Sequence, residues 1–281
     1  MSPKAAINAL IKKITSWSFS RWNVYDQCPA KAKYQFLDKL PQPPAKALDR
    51  GTLIHKQAEL FIKGQPAPML TEPIPKLTMN GDWVDIKKVK FHKLGVLPPE
   101  LASFDEYFES LARRHKNKLS AMAVETTWAF RADWGKTTFD DWAGCVLRIK
   151  VDSAYEEDGI LYIDDWKTGK YNADLAEEYK KALQLYSLGG FMWYPHIKKI
   201  RPRLRYTDMG TSWPEEGELL EYDRADIPKL KELWIKRTRP MLNDIQFAPK
   251  PNAKCRFCPF SSKFVDWETK KPMPVPGPCP F

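Results

Sequence analysis

Residues 147–169 read LRIKVDSAYEEDGILYIDDWKTG, two strand-like runs that meet at Glu157-Asp158-Gly159-Ile160. An Asp-Gly pair suits a two-residue type I′ loop, whose central residues both need positive φ. With Asp158 and Gly159 as the loop, Glu157 faces Ile160, and counting back along both strands sets Asp152 opposite Asp165. Directly paired residues hold their Cβ atoms about 4.5–5.5 Å apart. Alternation puts Lys167 on the face of Asp165, and Trp166, Asp164, Tyr162, Val151 and Ile149 on the other face. Two facing carboxylates repel unless a cation sits between them. A hard divalent ion such as Mg²⁺, held by one or two carboxylates and a substrate phosphate, removes the conflict, and a neighbouring lysine can contact the phosphate. A solvated hairpin, in which Lys150 and Lys167 simply neutralise the two aspartates, accounts for the same residues.

Outward from the hairpin, the chain reads as α/β. Thr52–Lys63 looks helical, and so do residues 98–119, where Leu101, Phe104, Phe108 and Leu111 recur at helical spacing. Strand patterns follow at residues 121–130 and 142–155, then at 160–167. A long helix is expected over Ala173–Trp193, a strand at 200–208, and a Lys/Arg-rich helix over 225–243. These pieces suggest three regions: a helical N-terminal part over 1–120, a core over 121–245, and a Cys-bearing, proline-rich end over 246–281. At roughly 150 residues per domain, 281 residues make about two units or one composite domain.

Composition narrows the class. With 43% hydrophobic residues, the chain is neither a disordered polymer nor a collagen, and it is long enough to bury a core without staples. No apolar run approaches the roughly 18 residues of a membrane helix, and the first twenty residues contain no leader-like apolar stretch. The expectation is an intracellular, cytoplasmic protein. Five cysteines, an odd number, point to free thiols or metal ligands rather than disulfides. Forty-five Lys and Arg against 35 Asp and Glu leave +10, which favours a polyanionic partner, nucleic acid before membrane. Basic clusters at 113–118, 198–205 and 229–239 suit phosphate contacts, but each also suits an ordinary solvated face.

Asp152 followed by Asp165-Trp166-Lys167-Thr168-Gly169 resembles the D…(D/E)-x-K signature of the PD-(D/E)XK nuclease superfamily. The D-x-K-T-G form resembles its RecB/AddB-like and CRISPR-associated exonuclease branch. Further pieces resemble that branch in the same order: Ser18-Phe19-Ser20 to Cys28-Pro29, Gly51 to His55, Ala123-Val124-Glu125, Gln184-Leu185-Tyr186, and Cys255-Arg256-Phe257-Cys258. The resemblance implies a restriction-endonuclease-like core, a central mixed sheet flanked by helices. It also implies a metal-dependent deoxyribonuclease, most simply an exonuclease in recombination, repair, or phage or CRISPR DNA processing, leaving a 5′-phosphate and a 3′-hydroxyl. His55, Asp152, Asp165 and the Trp166 carbonyl would hold Mg²⁺ or Mn²⁺, Lys167 would handle the attacking water, and Gln184 would contact substrate. Glu125 and Tyr186 are secondary candidates.

Two departures stand out. The usual pattern puts the tyrosine four residues after the glutamine, whereas Tyr186 follows Gln184 by two. In the iron–sulfur form, a last cysteine follows the Cys-x-x-Cys after about six residues, and Phe264 stands there instead. Cys28, Cys255, Cys258 and the distant Cys279 therefore leave a [4Fe–4S] cluster, a zinc ion or free thiols as alternatives, and Cys145 reads as core. The rival functions are a DNA-binding subunit that works only within a complex with partner proteins, an endonuclease of the same superfamily, and a non-nuclease metal protein of nucleic-acid metabolism.

Overall fold

The computed structural model describes residues 13–43, 46–78, 82–119, 121–215, 218–266, 271–272 and 277–281. The opening twelve residues of the leader reading and Pro274 and Pro276 of the proline tail lie outside them. Six helices are described: α1 (Phe19–Gln27), α2 (Pro29–Ala32), α3 (Lys46–Ile62), α4 (Asp105–Lys116), α5 (Ala176–Trp193) and α6 (Ile227–Asn243). The strands are β1 (Ala123–Phe130), β2 (Lys136–Thr137), β3 (Leu147–Glu157), β4 (Ile160–Lys167), β5 (Lys199–Tyr206), β6 (Thr211–Trp213) and β7 (Tyr222–Asp223). None of the described helices is long and apolar enough to cross a membrane.

The mixed sheet runs β2-β1-β3-β4-β5-β6, with β7 also on β5. β4 and β5 are parallel, so the chain must cross over between them, and α5 is that crossover. The helix lies close against the sheet because Gly189 and Gly190 carry no side chain. A Cβ on Gly190 would come within 2.8 Å of Ile200 and 3.0 Å of Ile163. On this face α1, α5 and α6 cover Trp128, Ile149, Leu161 and Ile163. Trp22 of α1 meets Trp234 of α6 edge-on at 5.1 Å, and its indole donates to the Arg237 carbonyl at 3.1 Å. On the other face α3 and α4 bring Ile54, Ala58, Phe108 and Leu111 onto Val124, Tyr155 and Trp166.

The hairpin has the expected loop and register. Asp158 and Gly159 sit at φ 51° and 75°, and pairing runs from Glu157↔Ile160 to Ser153↔Asp164. One expectation fails. Ile149 and Val151 do not share a face with Tyr162 and Trp166; they pack with Leu161 and Ile163 under α5. Alternation breaks at Asp152, since Val151 faces one layer while Ser153 reaches Tyr107 of α4 in the other. The same break occurs on β1 at Glu125, which has φ 46°. Val124↔Ser153 and Thr126↔Val151 pair on either side, so the two interruptions lie opposite each other. A left-handed residue inside a strand turns the following side chains out of the pleat's phase. Both carboxylates are thereby released from the regular alternation of the sheet.

Candidate active site

His55 reaches the two interruptions from α3. It follows Gly51, whose missing side chain lets the helix approach the turn after β4: a Cβ there would lie 3.1 Å from Thr168 Oγ1. His55 Nδ1 lies 2.9 Å from Glu125 Oε1 and 3.4 Å from Asp152 Oδ1. Its Nε2 lies 3.0 Å from the Trp166 carbonyl oxygen. Asp152 Oδ2 accepts the Trp166 N–H at 2.8 Å, and Lys150 Nζ meets Glu125 Oε2 at 2.7 Å. Lys167 is ion-paired with Asp165. Asp152 and Asp165 are buried, and Tyr186 of α5 is close enough for both carboxylates to act on its phenol.

The charges of these groups are interlocked. Burial alone would lower His55, but the charge and hydrogen bond of Asp152, with those of Glu125, lift it to about 10. Burial likewise opposes ionisation of Asp152, yet His55, Lys167 and the Trp166 N–H hold it below the ordinary carboxylate range. Asp165 moves the other way: burial and the neighbouring Asp152 raise it, against the pull of Lys167. Two adjacent acids are thus pushed apart in acidity, as coupled carboxylates are. The lysines do not neutralise the two aspartates as a plain solvated hairpin would have them: Lys167 takes Asp165, Lys150 takes Glu125, and protonated His55 serves Asp152.

Ligand atoms of His55, Glu125 and Asp152 lie within 4.8 Å of one another. With the Trp166 carbonyl they make one imidazole and three oxygen donors, a set suited to Mn²⁺ or Mg²⁺. Glu125 therefore joins the compact group, while Asp165 stands beside it with Lys167. Gln184 is turned elsewhere, its Oε1 accepting from Arg237 of α6 at 2.8 Å. The shortened spacing to Tyr186 has this physical outcome: Tyr186, not Gln184, is the α5 side chain next to the acids.

Tyr107 had no motif to mark it. It accepts from the Trp166 indole at 3.0 Å and bonds Ser153 Oγ at 2.8 Å, so it braces Trp166 from behind. The basic run 198–205 proves to be internally engaged. Arg203 and Arg205 both pair with fully buried Asp164, at 2.9 and 3.2 Å, and Arg201 pairs with Glu221 at 2.7 Å.

The four expected cysteines converge although Phe264 does not contribute. Cys28, Cys255, Cys258 and Cys279 line one cavity. The tail returns to it through Cys279 N–H to the Phe260 carbonyl at 2.9 Å and Ser262 N–H to the Cys279 carbonyl at 2.7 Å. Backbone N–H groups of Lys250 and Asn252 donate to the sulfurs of Cys28 and Cys255, at 3.5 and 3.3 Å. Among the described residues only His55, Glu125 and Asp152 gather three ligand atoms within 4.8 Å of one another. Cys145 is a buried free thiol.

A mixed sheet carrying an Asp/Asp-x-Lys hairpin beside a histidine and glutamate defines a nuclease-type core with an acidic centre. Comparison with protein families agrees: the model of the PD-(D/E)XK nuclease superfamily matches residues 16–262, and the chain belongs to that superfamily. Its substrate class is accordingly DNA. Among solved structures, the chain is similar to that of SSO0001, with 14% identity, TM-score 0.36 and coverage of 91% of this chain and 89% of the other. It is also similar to a predicted exonuclease from Eubacterium rectale, with 12% identity, TM-score 0.41 and coverage of 92% of both chains. No curated protein matches the sequence.

Proposed function

We propose that the protein is a metal-dependent exodeoxyribonuclease of the RecB-like branch. The observation that carries the reading is the convergence of His55, Glu125, Asp152 and the Trp166 carbonyl beside the Asp165–Lys167 pair. His55, Asp152 and the Trp166 carbonyl, with Glu125 or Asp165, would hold Mg²⁺ or Mn²⁺. The ion would supply Lewis acidity and a more acidic bound water. Lys167 directs its ammonium toward the attacked phosphate, orients the water and balances the charge that develops. Asp165, raised by burial and by Asp152, is suited to share a proton with Lys167. Tyr186 lies beside both acids, and Tyr107 braces Trp166 through its indole.

The four-cysteine cavity is proposed to carry a [4Fe–4S] cluster. In support, four thiols surround it and two of them accept backbone N–H bonds. The exonuclease assignment rests on the likeness of Gly51 to His55 and of Asp165 to Gly169 to that branch.

The test uses linear and circular single- and double-stranded DNA, labelled at either end, with Mg²⁺ or Mn²⁺. Linear substrates are expected to yield short products with 5′-phosphates, and circles to persist. Asp152→Asn and Lys167→Ala should each lower cleavage about 10²-fold or more. Undiminished cleavage in both variants rejects the centre, and cut circles make the enzyme an endonuclease.

A further inference from the structure

Between α3 and the 3-10 turn at Pro99–Phe104 the chain forms a small lobe that the nuclease core does not require. Its hydrogen bonds are local: Val84 N–H to the Lys76 carbonyl at 3.0 Å, and Met69 N–H to the Lys90 carbonyl at 2.7 Å. Trp83 packs edge-on against Phe91. Yet several of its apolar side chains face outward: Val84 and Leu94 are 65% exposed, Ile86 61%, Val96 47% and Phe91 37%. Lysines are interleaved with them. Among the described residues, Lys87, Lys90 and Lys93 have no carboxylate within ion-pair distance, whereas Lys88 is taken up by Asp85 at 2.9 Å.

The lobe is joined to the helix that carries His55. It is rooted on α3, where Gln57 donates to the Pro68 carbonyl at 2.9 Å and Lys76 pairs with Asp49 at 3.4 Å. The adjacent Arg50 clasps Asp208 with two 2.9 Å bonds, and Asp208 also accepts the Gly169 N–H at 2.9 Å, just past Lys167. A chain of direct contacts therefore connects the lobe to the turn that carries the catalytic lysine.

Resting on the nuclease reading, we propose that the part of the lobe over residues 82–96 grips a single-stranded segment of DNA as it enters the centre. Unpaired cations complement phosphates, while exposed apolar and aromatic side chains can lie on base faces only where the bases are unpaired. A duplex would leave Ile86, Phe91 and Leu94 against water or phosphate. The arginines of β5, by contrast, are held in place by Asp164 and Glu221.

The experiment compares oligo-dT and duplex binding by fluorescence anisotropy across a NaCl series, in a Lys167→Ala parent that binds without cutting. Adding Lys87→Ala, Lys90→Ala and Lys93→Ala together should reduce the logarithmic salt slope for oligo-dT by about 2, at roughly 0.7 for each phosphate that is no longer neutralised. Phe91→Ala should weaken oligo-dT binding roughly ten-fold while leaving the slope alone. Duplex affinity should change less in both, and circular dichroism should report an intact fold. Oligo-dT affinity and slope equal to those of the parent would overturn the proposal and reassign the apolar surface to a protein partner, as would a larger loss for duplex than for oligo-dT. A parent that still cuts discredits the assigned centre without touching the binding comparison.

Discussion

In the metal-free protein, the charges of Asp152 and Glu125 favour a proton on His55 at the heart of the site. His55, lifted to about 10, is an imidazolium whose two N–H groups point at Glu125 and at the Trp166 carbonyl. A metal ligand must be the neutral imidazole, so loading has to expel that proton. Removing it at pH 7 from a group at about 10 costs roughly 4 kcal/mol, at about 1.36 kcal/mol per unit. Apparent Mn²⁺ affinity at pH 7 should therefore be about 10³-fold below its alkaline limit, improving close to ten-fold per pH unit. Calorimetry at pH 6.5, 7.5 and 8.5, in two buffers of different ionisation enthalpy, measures both quantities. About one proton should leave per ion, and His55→Ala should bind more weakly and lose most of the pH dependence. The sign for stability is the reverse: a raised histidine stabilises the apo fold fully below 6.5, and that contribution disappears as pH rises through about 10. Identical heats in both buffers and a flat affinity profile would refute the reasoning.

Other expected outcomes concern packing and support. Gly277→Ala would set a methyl 2.2 Å from the backbone carbonyl of Phe260, which cannot move aside as a side chain would; the tail and Cys279 should be displaced, and any cluster bound as proposed should be lost, lowering iron content and absorbance near 400 nm after anaerobic purification relative to the parent. Asp164→Asn leaves Arg203 and Arg205 facing each other across a neutral group and should cost about 3–5 kcal/mol, read as a thermal midpoint lower by roughly 10 °C. Tyr107→Phe strips the Trp166 indole of its acceptor. It should cost about 1–3 kcal/mol and weaken Mn²⁺ uptake, which a purely structural defect would leave unchanged at a temperature where the variant is folded. For Asp152, held low, acid should remove stability as pH falls below the ordinary carboxylate value, and Asp152→Asn should flatten that part of a pH–stability curve.

Much of this molecule could be read from local chemistry. The bounds of β4 matched the apolar run ILYIDDWK, because a buried strand flanked by an Asp-Gly turn and a Thr-Gly turn has little freedom in its ends. The register followed from Asp158 and Gly159. The faces of Ile149 and Val151 did not, because they depend on the left-handed backbone at Glu125 on a different strand. Nothing in AVETTW distinguishes that conformation from an ordinary strand. Gln184 was misdirected for a similar reason, since its orientation is set by Arg237 of a helix fifty-three residues later. Cys279 could be suspected but not placed, as its return depends on backbone bonds to Phe260 and Ser262 across an intervening proline-rich stretch.

The acids at the interrupted strands have their own built-in counterions: imidazolium on Asp152 and Glu125, ammonium on Asp165 and again on Glu125. Folding can therefore finish in a chelated medium, and the newly made protein would be complete yet silent. On the proposed metal-dependent reading, activation would be an exchange reaction, one hydrogen ion out for one dication in. Such a protein would be switched by the ratio of free manganese or magnesium to acidity in its surroundings, independently of how much of it has been synthesised.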